Sequence, residues 1–129
     1  MVTGLLDDFA SRHPTAVIEH AGEVFVAAES APDLVAEARQ RGIGVLGLEG
    51  FLIDGDYVYP ALSRIADFSR QHHPSEPDFV EWSTTEALKI LAGPWSSRPA
   101  VEDQMHPDAA GRHMIAIVLD ESTHEDVND

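Results

Sequence analysis

The chain contains no cysteine, which excludes disulfide cross-links, thiolate nucleophiles and cysteine-ligated metal centres together. Lysine is almost as scarce. Lys89 is the only one, and basic residues number 8 against 23 acidic ones, a formal net charge of -15. Without clustered Lys and Arg there is nothing to neutralise phosphates, so nucleic acid and anionic membranes are excluded as partners. A basic protein is the partner such a field attracts, although the same acidity also serves solubility or salt adaptation. Long apolar runs are missing too. None approaches the roughly 18 residues that span a bilayer. The opening "MVTGLLDDFASRHP" has neither a basic n-region nor an apolar h-region, so a cytoplasmic protein is expected.

What remains is a globular composition: 129 residues, 43% of them hydrophobic, enough for one domain with a core of its own. The opening residues predict a short helix from Thr3 with Leu5, Leu6 and Phe9 on one side. Ala16–Glu19 and Glu23–Ala28 read as strands around an Ala21-Gly22 turn. "SAPDLVAEARQRG" predicts a helix with Ser30 as N-cap, Pro32 in its first turn, Gly42 as its stop and Leu34, Val35 and Ala38 buried. "FLIDGDYVY" predicts a hairpin with Asp54-Gly55 as its two-residue turn and Leu52 facing Tyr57. Pro60 is expected to end that strand, and "PALSRIADFSR" to become a helix with Leu62, Ile65, Ala66 and Ser69 on one face. A further helix covers Ser75–Gly93, with Val80, Thr84, Ala87, Leu88 and Leu91 inward. "HMIAIVLD" is a wholly apolar strand, fit for the middle of a sheet. The fold expected is α+β: a two-layer domain over residues 1–120, with helices on one face of a mixed sheet. A long loop at 94–112 and an acidic tail at 121–129 complete it.

Candidate chemistry is sparse. There is no G-x-S-x-G, P-loop or G-x-G-x-x-G, so no catalytic residue is assigned and no cofactor is expected. His106, Asp108 and His113, with Glu102 and Asp103 upstream, have the donor types for zinc. The two histidines, seven apart across Pro107 and Gly111, match no ligand spacing, and no metal is assigned. "DGD" at 54–56 lacks the further oxygen ligands of a calcium loop. Glu49 stands inside an apolar run, where a buried carboxylate would need a partner or a raised pKa. The flanking glycines equally allow an edge or bulge that turns it to solvent. Tyr57 and Tyr59 share a strand face and either line a groove or cap the apolar layer. Trp95 is the candidate exposed anchor of a binding surface, with Glu102 and Asp103 as steering charges on the same loop.

The segment "GLEGFLIDGDYVYPALSRIADFS" resembles the middle of small bacterial immunity-type proteins, in which an E-G-F strand leads into a P-x-L-x-x-I-x-D-F-S helix. The resemblance covers about a fifth of the chain and implies a protein that blocks a toxin by binding it; no functional residue carries over. An acidic inhibitor of a basic partner is therefore the first functional expectation. The alternative is a small-molecule-binding or enzymatic domain with a pocket near Glu49, Tyr57 and Tyr59.

Overall fold

The computed structural model describes residues 4–69, 76–96 and 111–121. Within these residues three helices and five strands follow in the order α1 (Leu5–Arg12), β1 (Val17–His20), β2 (Glu23–Ala27), α2 (Ala31–Gln40), β3 (Gly44–Asp54), β4 (Tyr57–Asp67), α3 (Glu76–Ala92) and β5 (Arg112–Asp120). The strands form one sheet in the order β1-β2-β5-β3-β4. The α+β class and the packing of helices on the sheet are as expected. The sheet is not mixed, however, because every described pair is antiparallel. β2 and β3 do run the same way, as the intervening α2 requires, but β5 lies between them and runs opposite to both.

Side chains alternate across a strand, so each strand divides its apolar residues between two faces. One face carries the larger core: Val26, Leu48, Ile115 and Ile117 pack against Leu5 and Phe9 of α1, Leu34 and Val35 of α2, and Ala87 and Leu91 of α3. The other face holds a smaller cluster around Phe25, Ile53, Met114 and Ala116, with Phe25 and Phe51 edge to face at 5.1 Å. His20 at the end of β1 reaches the Asp56 carbonyl at the β3–β4 turn, Nε2 to O 2.9 Å, so the tips of the two hairpins meet.

Polar residues on the inner face of α3 have definite tasks. A bulge between Val45 and Gly47 interrupts the β3–β5 ladder, and the Val45 N–H donates to the fully buried Ser83 Oγ at 3.0 Å. Thr84, also fully buried, donates to the Val80 carbonyl (2.7 Å) and accepts from Arg39 Nε (3.1 Å). Arg39 reaches Thr85 and Glu81 as well, and so ties α2 to α3. Arg41 bonds Asp8 (2.9 Å) and Glu37 (3.1 Å), and Arg12 also pairs with Glu37, which fixes α1 to α2. The hydrogen bond to Asp8 is the largest influence on Arg41 and raises its pKa above the ordinary arginine value.

Four local expectations are corrected. Ser30 precedes α2 but makes no side-chain cap, because its own backbone is already helical (φ -101°, ψ -12°) rather than extended. Its carbonyl accepts from Asp33 and Leu34 instead. The expected helix from Pro60 is strand, since β4 continues to Asp67. Pro60 is tolerated there because β4 is at the edge of the described sheet and beside a large bulge. Glu49 pairs with Ile65 and Phe51 with Pro60, so four residues of β4 stand opposite Gly50 alone. Glu121, expected to begin a loose tail, accepts the Leu5 N–H at 3.0 Å and places its charge at the N-terminus of α1. Residues 122–129, like Thr3 and His72-His73, lie outside the described residues.

The β3–β4 turn is the fourth correction. It has two central residues, but they are Gly55 and Asp56, because Asp54 pairs with Tyr57 and Leu52 with Tyr59. Gly55 has φ +61° and Asp56 does not have positive φ, the pattern of a type II′ turn with glycine first. Gly55→Val is expected to destabilise the fold by about 1 kcal/mol or more, because a β-branched residue resists positive φ. A lowered urea midpoint with an unchanged slope is the expected readout. An unchanged midpoint would remove the turn from the stability of the sheet.

Candidate functional site

The register of the three strands at the β4 side of the sheet defines the site. Gly47 on β3 stands opposite Val118 of β5 and Asp67 of β4. Two residues along, Glu49 stands opposite Ala116 and Ile65. Period-two alternation places all six side-chain positions on the face away from the helices. Glycine leaves a gap in this grid, and a Cβ added there would lie 3.1 Å from the Ala66 carbonyl oxygen. The result is an open groove of about 370 Å³ over Gly47.

Its walls are apolar and its rim is acidic. Ile65 is 62% exposed and Val118 52%, both large hydrophobic residues left to solvent on a sheet face. Glu49 is exposed as well. Asp67 is held in place through Oδ1, which accepts from the Ser69 N–H (2.9 Å) and Ser69 Oγ (2.6 Å). No basic side chain lines the groove among the described residues. An apolar floor between carboxylates suits a group that is part hydrocarbon and part cation.

The residues singled out from sequence do not converge here. Glu49 is at the groove, but Tyr57 and Tyr59 are not. Tyr59 pairs with Leu52, which puts both tyrosines on the opposite face of the sheet from Glu49. The tyrosine rings stack on each other, 6.2 Å between centroids and 12° between planes, and Tyr57 is 66% exposed. A single pocket built from Glu49, Tyr57 and Tyr59 is therefore not formed. Trp95 is not an exposed anchor. Only 8% of it is accessible, and it packs into the larger core, because the turn after α3 folds it back with its N–H on the Ile90 carbonyl (3.0 Å). Glu102, Asp103, His106 and Asp108 lie outside the described residues. His113 is on β5, half-buried, with Nε2 3.5 Å from the buried Arg64 guanidinium. Among the described residues no three His, Asp or Glu side chains come together in a way that would hold a metal ion. No described helix is long and apolar enough to cross a membrane.

Sequence reasoning passed over Gly47, Ile65, Asp67 and Val118. The sequence pattern places Ile65 and Asp67 in a helix and Val118 in an apolar strand in the middle of the sheet. The available signal was the parity of "HMIAIVLD", which sends Met114, Ala116 and Val118 to one face; which face stayed open depended on the register with β3. The segment whose likeness to immunity-type proteins implied a strand followed by a helix is instead a continuous hairpin of β3 and β4. The chain matches no protein-family model, no curated protein and no solved structure.

Proposed function

We propose that this protein is a cytoplasmic binding module that docks a basic protein partner on the Gly47 groove and, as an immunity-type inhibitor does, silences that partner by occupying it. The observation that carries the reading is the groove itself: two exposed aliphatic side chains beside two carboxylates on an open sheet face. The charge distribution supports it. Among the described residues Arg12, Arg39, Arg41, Lys89 and Arg112 are each paired with a carboxylate of the same chain, and over the whole sequence acidic residues outnumber basic ones 23 to 8. Such a field accelerates the encounter with a basic protein, and desolvated apolar contacts then hold it.

The two contributions separate kinetically. Ile65→Ser and Val118→Ser are expected to raise the dissociation rate, by a factor on the order of ten for the double variant. Glu49→Lys is expected to slow association and to flatten its dependence on salt, with a smaller effect on dissociation. The measurement is surface-plasmon kinetics against the basic protein retained from native-host extract. Association indifferent to ionic strength, or a retained protein that is acidic, would defeat the proposal.

A further inference from the structure

We propose that the Gly47 groove is an arginine-reading site, which takes one arginine side chain from an extended segment of the partner. The inference rests on the functional reading above and states what that reading leaves open, namely the chemical group that enters. A hydrocarbon stem fits over Gly47, where no side chain intervenes, between the aliphatic walls of Val118 and Ile65. The head group then meets Glu49 and Asp67. These two positions are diagonal neighbours on adjacent antiparallel strands, about 7–8 Å apart at the backbone. A planar guanidinium has donors on both edges and bridges two such carboxylates; an ammonium is a compact point charge and serves one well.

An extended segment suits the groove because the groove runs along a strand ladder. Its alternate side chains fall on one side, two residues apart along the strand direction, so one arginine fills the Gly47 gap while the stem of the next residue on that side lies over Ile65, opposite Glu49. A second copy of this chain is disfavoured as the occupant. Each copy carries a formal charge of -15, and the groove rim would meet a surface of its own sign.

The test is an amide-resolved NMR titration of the full chain with a capped hexapeptide alternating valine and arginine. Counterparts carrying citrulline or lysine in place of arginine are the comparisons. The arginine peptide is expected to give saturable shifts centred on Gly47, Glu49, Ile65 and Val118, and to bind about three- to fivefold more tightly than the citrulline peptide for each carboxylate engaged. Glu49→Gln, at an exposed position that leaves the fold intact, is expected to remove that advantage by about three- to fivefold and to leave the citrulline peptide unaffected. Val118→Ser is expected to weaken both peptides alike. Shifts scattered over the acidic helix surfaces, or equal binding of arginine and citrulline peptides, would overturn the arginine site and leave the basic-partner reading standing. No binding of any cationic peptide at low ionic strength would overturn both. Groove resonances that move on dilution of the chain alone, with a dimer in sedimentation, would assign the groove to self-association instead.

Discussion

Trp95→Ala is expected to cost about 3–5 kcal/mol of folding stability, the range for removing a large aromatic side chain from a packed core. The ring belongs to the same cluster as Leu5, Leu34, Leu91 and Ile115, and its backbone N–H closes the turn after α3. Truncation would leave a cavity where α3 meets the sheet. In equilibrium urea unfolding this appears as a large fall in the midpoint, with the near-ultraviolet signal of the variant changed even in buffer. An exposed binding residue would behave in the opposite way: stability would hold and only affinity would fall. The substitution therefore separates the two roles of this tryptophan in one experiment.

Gly111→Ala is the second substitution with a large expected effect. Gly111 immediately precedes β5 and has φ +111°. A Cβ there would lie 2.5 Å from the carbonyl oxygen of Ile53, and a backbone atom cannot rotate aside as a side chain can. Conformational strain and steric conflict act together, and a loss of about 3 kcal/mol or more is expected. For a chain of this size that is a fall in Tm on the order of 10 °C. Gly55→Ala serves as the internal control. It also has positive φ but meets nothing within 4 Å of an added Cβ, so only the conformational cost of about 1 kcal/mol applies. Equal losses at the two positions would show that the contact with Ile53 contributes nothing.

Much of the fold was legible because local signals agreed with tertiary ones. The buried stripe of Leu34, Val35 and Ala38, the stop at Gly42 and the apolar continuity of β5 all follow from periodicity and turn chemistry. β4 was not legible. Pro60 and the spacing of Leu62, Ile65 and Ala66 satisfy a helical template, and only pairing with β3 across the bulge at Gly50 selects the strand. The hairpin turn was misplaced by one residue for a related reason. Asp54-Gly55 and Gly55-Asp56 are both acceptable turn pairs, and the choice between them moves the partner of each β4 residue by two positions without changing its face, so Leu52 meets Tyr59 rather than Tyr57. The face of the site is set by the excursion of β4 opposite Gly50, which brings Ile65 and Asp67 to the side of Glu49 and which no local property of "GLEGFLI" encodes.

The position of β5 has a consequence for how the molecule assembles. It is the last described strand in chain order but the third across the sheet, so among the described residues it is the strand that joins the β1–β2 hairpin to the β3–β4 hairpin. Until it is synthesised and inserted, two sticky edges, those of β2 and β3, stand open with their hydrogen-bonding groups unsatisfied. Closing such distant pairings is slow, because the intervening chain must be confined before any contact repays it. A net charge of -15 on each chain opposes the association of such open edges between molecules.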